Sequence, residues 1–347
     1  MAEKYELQTV TDKPYNAETP LKALIGGKTP SDLFYIRNHF EVPSIDADRF
    51  NLSINGDITR PIEFSLDQLK IFPQKSLTVV MECAGNGRSS MKPKINGTAW
   101  NMGAISQAEF TGTTLHNILD KSLLSERVQE IRFTGADRGK IHSGETENYI
   151  RSLPVEIANH PDTMVVWKMN GQDLPPQHGY PLRLIVPGWY GMASVKWLYE
   201  ITAMSQPFNG FFQSQEYVYI GEVGTPDHTP VTNMRVRSIF TEPDDGAKIS
   251  DDNIHIIGIA WSGEGNIQMV EISFNGGDNW LPSNLHPSPT TYGVTHWEFD
   301  WHPDRNGRHS IFARATDSCG NTQPLQPIWN KGGYGNNAVH QIDLTIE

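Results

Sequence analysis

Only two cysteines occur among 347 residues, Cys83 and Cys319, far apart in the chain. That count excludes a disulfide framework and a cysteine-rich zinc cluster. Long apolar runs are missing too, and none approaches the roughly 20 residues of a membrane-spanning helix. The stretch Met1 to Pro30 is polar, is broken by Pro14, Pro20 and Pro30, and holds no apolar signal core. It therefore reads as cytoplasmic, with the periplasm left open because a chain trimmed of its leader looks the same. Blocks of like charge are also absent, although the net charge is −12. This excludes nucleic acid or an anionic membrane as the main partner, and an anionic ligand needs a local cationic pocket. No internal repeat or low-complexity tract is present.

The chain does have length enough for two domains, each able to bury a core. An extended arm is expected over residues 1–30, a mixed α/β domain over 31–225 and a β-sandwich over 232–347. In the first domain strand-like runs (Leu77 to Met81, Glu130 to Phe133, Met164 to Lys168, Leu182 to Val186) alternate with short helices over Ser65 to Lys70 and Thr113 to Ser122. A Pro, Gly and Thr-rich stretch, Gly221 to Thr232, reads as a linker. Beyond it five strands follow: Ile254 to Ala260, Met269 to Phe274, His296 to Trp301, Ser310 to Thr316 and Ala338 to Ile346. The alternation of Val270, Ile272 and Phe274 with polar neighbours, then Asn275-Gly276, signals a strand ending in a turn. The Cys…Trp…Cys spacing of true immunoglobulin domains is missing, so the second domain is immunoglobulin-like at most.

Five groupings have chemical potential. Thr78 to Glu82 leads into Cys83-Ala84-Gly85-Asn86-Gly87-Arg88, a small-residue turn carrying a thiol and a guanidinium. A thiolate is a soft metal ligand and a nearby cation favours it, whereas a packed core cysteine is the bland alternative. Arg37 and His39 share one side of an extended Tyr35 to His39, or else form a solvated surface strand. His178 and Arg183 flank a proline-rich loop and together suit a phosphate, against a loop histidine and a strand-end arginine. The stretch Pro187 to Trp197 has glycines that let backbone amides approach an anion, with Ser194 and Lys196 as added donors, but it is no Walker loop. Tyr217 stands just before the linker and, taken alone, is a packed strand residue.

In order along the chain these groupings resemble one family, the molybdenum-cofactor enzymes of the sulfite oxidase family. The resemblance rests on Arg37-Asn38-His39, on Cys83-Ala84-Gly85-Asn86-Gly87-Arg88, on Trp100 after Asn96 to Ala99, and on Asn170 to Arg183. It continues through Ser194-Val195-Lys196-Trp197 and Tyr217 to Phe240 to Pro243, Ala260 to Gly263 and Pro327 to Asn330. It implies a mixed α/β molybdopterin-binding domain followed by an immunoglobulin-like dimerisation domain. By the same resemblance Cys83 is the protein ligand of molybdenum, and Tyr35, Arg37, Asn38, His39 and Asp137 hold the pterin. His178, Arg183, Ser194, Val195 and Lys196 complete that cofactor site. Arg37, Arg88, Trp100 and Tyr217 would line the substrate pocket.

The implied activity is oxidation of sulfite to sulfate by oxygen-atom transfer, in a homodimer that passes electrons to a separate cytochrome or to dioxygen. Haem is not expected in this chain. Two departures stand out: Gly87 precedes Arg88 where animal enzymes have a second arginine, and Gln341 is aligned with a pocket arginine, which leaves one cation fewer. A sulfane dehydrogenase or a sulfoxide reductase on the same scaffold is the alternative. A non-enzymatic β-sandwich binding protein is the alternative of another class.

Overall fold

The computed structural model describes residues 5–347, so the first four residues of the expected arm lie outside the described residues. The rest of that arm is folded back. Gln8–Asp12 and Tyr15–Glu18 form an antiparallel hairpin, and Ala17 and Ile36 exchange backbone hydrogen bonds of 3.0 and 2.9 Å. Asn16, Ala17, Glu18 and Thr19 are buried. A polar, proline-broken stretch reads as an arm because the contacts that dock its hairpin, at Ile36 and Gly103, lie downstream, beyond the reach of local pattern.

Two five-stranded sheets organise the first domain. In one, Lys75–Glu82, Ile105–Thr114 and Met164–Met169 run antiparallel, and both Gln172–Asp173 and Arg183–Ile185 pair with Met164–Met169. β-Branched residues favour this conformation, and Val79, Val80, Val165 and Val166 are all buried. The other sheet has the order Ile62–Ser65, Asn51–Gly56, Leu198–Met204, Glu130–Lys140, Thr146–Pro154. Its Leu198–Met204 strand is parallel to Asn51–Gly56 and antiparallel to Glu130–Lys140. The two expected helices form, each started by a side-chain cap. Ser65 and Gln68 make a reciprocal capping box before Leu66–Lys70, and the Thr114 hydroxyl accepts from the Asn117 amide before Leu115–Ser122. Such caps satisfy amides that the first helical turn leaves unpaired.

The second domain is a sandwich of a four-stranded and a five-stranded sheet. Arg237–Glu242, Ile254–Trp261, Thr295–Trp301 and Asn284–His286 form the first. The second is centred on Ile267–Ser273, Gly307–Asp317 and His340–Ile346. Val270, Ile272, Ile311, Ala313, Ile342 and Leu344 point from the larger sheet into a shared core with Ile256 and Trp297. Residues Ile259, Trp261 and Tyr334 leave that core and join the one of the first domain. The two domains therefore meet over a continuous apolar seam.

Gly221 to Thr232 is not a loose linker. Thr229–Pro230 pairs with Val218–Tyr219, Val231 is fully buried, and buried Glu222 is ion-paired with Arg235. Its glycines and prolines set turns in a packed strap rather than freedom, which composition alone does not distinguish.

Candidate functional site

The Lys75–Glu82 strand delivers Cys83 to a turn closed by Asn86 N–H to Cys83 C=O (2.9 Å) and Arg88 N–H to Gly85 C=O (3.0 Å). Gly87 sits at φ +80°, a left-handed conformation costly for other residues. The Cys83 amide donates to Ala104 C=O at 2.9 Å, tying the turn to the neighbouring strand. The thiol is buried and stands on the wall between two cavities, since it lines both.

The inner cavity is lined by Tyr35, Arg37, His39, Cys83, Asp137, His178, Arg183, Ser194, Lys196 and Tyr217, with Tyr149 and Trp197 among the others. Pro175-Pro176 opens the short turn Pro176–His178, and Gly179 at φ +105° closes it, so His178 is presented by a stiff loop. Arg183 donates to His178 C=O (3.0 Å) and Ser194 C=O (3.2 Å). Lys196 Nζ donates to Gln177 C=O (2.8 Å) and to the Asn38 side chain. No carboxylate pairs with Arg37 or Arg183 among the described residues, which leaves the cavity cationic.

Burial dominates the titration of these groups. It lowers His178 to about 3 and Arg183 to about 10, and it raises Asp137 to about 6 against the pull of Lys196. Burial also takes Lys196 well below its usual range, assisted by Arg183. Burial pushes the Cys83 thiol up, while Arg37 pulls it down. For Arg37 burial works against the charge, yet Tyr217 and Cys83 carry its pKa above the ordinary value. Burial raises Tyr217 to about 12, so its phenol stays protonated. Tyr217 Oη lies 2.7 Å from His39 Nε2, and burial with Arg37 keeps that imidazole neutral.

The outer funnel, about 1770 Å³ with its mouth, shares Arg37, His39, Cys83 and Tyr217 with the inner cavity. Arg88 and Trp100 line it, and Lys13, Lys140 and Lys331 add cations around it. Arg88 is fixed by bonds of 3.0 Å each from Nε to Gly332 C=O and from Nη1 to Thr98 C=O. Its guanidinium lies 5.1 Å from the centre of the Tyr334 ring.

Residues 39–212 match the oxidoreductase molybdopterin binding domain family, and residues 228–347 match the Mo-co oxidoreductase dimerisation domain family. The chain belongs to the sulfite oxidase family. Mitochondrial sulfite oxidase of Rattus norvegicus is 31% identical over 98% of this chain, which spans 66% of that protein's length. Sulfite oxidase of Arabidopsis thaliana is 29% identical over 98% of this chain and 94% of its own length. Among solved structures, the sulfane dehydrogenase SoxCD from Paracoccus pantotrophus superposes with a TM-score of 0.86 at 26% identity. That superposition covers 99% of this chain and 90% of the SoxCD chain.

The family's cofactor is the molybdenum-bearing pterin, and the residues present fit it. Asp137 Oδ1 and Arg183 Nε are buried at the inner cavity without a hydrogen-bond partner among the described residues, as is Trp100 Nε1 beside the funnel. Such atoms are costly unless a polar ligand reaches them. Gly191 leaves room at the wall, since a Cβ there would meet Tyr35 Oη at 2.5 Å. Among the described residues no group of three or more His, Cys, Asp or Glu could hold a bare ion. The lone thiol thus suits a metal that arrives with its own sulfur ligands.

Besides Arg88, three family-derived residues stand outside the inner cavity. Trp100 faces the funnel. Asn38 points away, donating to Tyr15 C=O (3.1 Å) and accepting from Lys196. Val195 packs in the apolar core and contributes its carbonyl to Leu184 N–H at 2.8 Å. The expectation for Gln341 is overturned. It is exposed, donates to Asp343 Oδ1 at 3.3 Å and lines neither cavity. Strand alternation turns Ile342 and Leu344 inward and Gln341 outward. The segment that does reach the funnel comes earlier and brings Lys331, Gly332 and Tyr334, so this stretch adds a cation there. Sequence reasoning also missed Tyr149, and Arg151, whose buried guanidinium lies 5.5 Å from the Tyr217 ring centre. Arg151 shares its strand with Glu147, Asn148 and Ser152, so no local pattern singled it out.

Proposed function

We propose that this chain oxidises sulfite to sulfate with a molybdenum–molybdopterin cofactor, Cys83 serving as the metal's protein ligand. The observation that carries the reading is the position of Cys83 on a wall shared by an inner cavity lined with His178, Arg183, Ser194 and Lys196 and a cation-lined funnel. When bound, the cofactor supplies oxygen-atom transfer and takes up two electrons. In balance, sulfite and water give sulfate, two protons and two electrons, which pass to a separate acceptor such as a cytochrome or dioxygen.

The residues divide by cavity. Arg183, Lys196, His178 and Ser194 offer donors to the pterin's phosphate and ring oxygens, and Asp137 offers an acceptor to a ring N–H. Tyr35, Arg37 and His39 close the same cavity. On the funnel side Arg37 and Arg88 draw the sulfite anion into an otherwise acidic protein. Trp100 walls the pocket, and the protonated Tyr217 phenol donates a hydrogen bond to a sulfite oxygen. The match of residues 228–347 to a dimerisation domain supports a homodimer. No described helix is long and apolar enough to cross a membrane.

The test is sulfite-dependent reduction of ferricyanide or cytochrome c by molybdenum-loaded protein, alongside Cys83→Ser. A folded Cys83→Ser protein should lose molybdenum-dependent turnover, and retention of full activity would refute the ligand role. A second reading, dehydrogenation of sulfane sulfur borne on a larger carrier, is favoured by a funnel far wider than sulfite requires. Loaded protein that ignores sulfite but is reduced by a peptide persulfide would support it.

A further inference from the structure

The strand that ends at Cys83 alternates, so Met81 and Cys83 face the cavities and Glu82 points the other way, toward the second domain. There Glu82 is buried to 1% exposure, and its carboxylate accepts three hydrogen bonds. The donors are Asn86 Nδ2 (3.0 Å), Arg237 Nη1 (2.6 Å) and Trp261 Nε1 (2.9 Å). Arg237 Nη1 also donates to Asn86 C=O at 3.2 Å. One residue further on, Asn336 Nδ2 donates to Gly87 C=O (2.8 Å) and to Ser90 Oγ (2.9 Å). Arg237, Trp261 and Asn336 all belong to the second domain. The fit is close: a Cβ on Gly87 would lie 2.7 Å from Arg237 Nη2 and 3.0 Å from Asn336 Nδ2.

A buried ion pair is a poor source of stability, because the desolvation of two charges offsets their attraction and an apolar replacement often serves as well. Its directional bonds, in contrast, define one geometry. Here they converge on the residue before Cys83 and on the Asn86 and Gly87 carbonyls of its turn, while Ala104 holds Cys83 from the other side. We propose that Arg237 is a positioning residue of the active site: through Glu82 and the Asn86 carbonyl, with Trp261 and Asn336, the second domain sets the orientation of the Cys83 thiol. The dimerisation domain is then part of the catalytic apparatus. This rests on Cys83 being the metal ligand.

Four variants test it: Arg237→Lys, Arg237→Met, Trp261→Phe and the paired Glu82→Gln/Arg237→Gln. The last removes both charges but keeps polar groups of similar reach, and it guards against a variant that fails to fold around a stranded charge. Three quantities are read: the thiolate-to-molybdenum charge-transfer band of loaded protein, kcat and KM for sulfite, and the maleimide alkylation rate of Cys83 in cofactor-free protein carrying Cys319→Ser. Folded Arg237→Met or the paired variant should shift the band and lower kcat at least tenfold, with KM within about twofold because Arg37 and Arg88 remain. Cys83 should be alkylated at least tenfold faster in the same proteins. Arg237→Lys and Trp261→Phe should fall between these and the parent. An unmoved band and unchanged alkylation in folded variants would overturn the proposal and reduce the cluster to a domain fastener. Should the parent protein lack sulfite turnover, the band and the alkylation rate still decide this point separately from the choice of substrate.

Discussion

Arg88→Met removes a guanidinium from the funnel beside Cys83 without touching the proposed cofactor contacts. Two of its nitrogens are committed to Gly332 and Thr98 carbonyls, and Nη2 has no hydrogen-bond partner among the described residues. That nitrogen is the one left for a sulfite oxygen. A hydrogen bond to a charged group contributes about 1.5–3 kcal/mol. At about 1.4 kcal/mol per factor of ten, its loss lowers kcat/KM for sulfite about 10- to 150-fold. Gly332 and Thr98 are partly exposed, so water replaces the lost donor and the folding cost stays about 1 kcal/mol. Arg88→Lys keeps the charge but not the fork that spans both carbonyls, and its loss is smaller. The assay is steady-state cytochrome c reduction, normalised to molybdenum content, at two ionic strengths. Arg88 is only 9% exposed, so added salt narrows the gap between parent and variant only in part. A folded, molybdenum-loaded Arg88→Met protein with kcat/KM within twofold of the parent would refute the assignment.

Lys331→Met should raise KM for sulfite severalfold at low salt, whereas Gln341→Arg should leave it unchanged; the reverse pattern in steady-state kinetics would restore Gln341 to the pocket. Burial holds His340 neutral, with its pKa lowered to about 3, and its Nδ1 accepts from Phe240 N–H at 3.0 Å. The unfolded chain therefore takes up this proton first as pH falls, so stability is complete above about 6.5 and declines from there toward about 3. His340→Gln, which keeps an acceptor, should flatten the fall of unfolding free energy in that window by up to about 1.4 kcal/mol per pH unit. Denaturant titrations at pH 7, 5.5 and 4 measure it, and parallel curves for parent and variant would contradict the burial argument.

Some strands were legible because burial leaves a periodic record: Ile254–Trp261 and Thr295–Trp301 sit within a residue or so of their expected limits, whereas Asn51–Gly56, Ile105–Thr114 and Leu198–Met204 went unread. The caps at Ser65 and Thr114 emerged only with the structure, although both residue types carry the chemistry that starts a helix. The ordered motifs pointed to residues that do line one cavity, from Tyr35 and Arg37 to Cys83, His178, Lys196 and Tyr217. What remained hidden depends on contacts between distant segments. The docking of the Tyr15–Glu18 strand, the approach of Lys331 to the funnel and the pairing of Glu82 with Arg237 leave no local trace. Gln341 shows the opposite failure, where matching one residue at a time carried a role across a loop that the fold routes differently.

The three side chains that grip the Cys83 turn from behind, Arg237, Trp261 and Asn336, all come after the first domain along the chain. Domains tend to fold as units from the N-terminal end during synthesis. A nascent chain ending before Arg237 can thus build both sheets of its first domain while Glu82 still lacks two of its three partners. The arrangement around Glu82 is completed only when the second domain has been made and docked. On the proposed role of Cys83, cofactor capture then awaits synthesis of the second domain, and a product truncated before Arg237 is left with an unfinished seat.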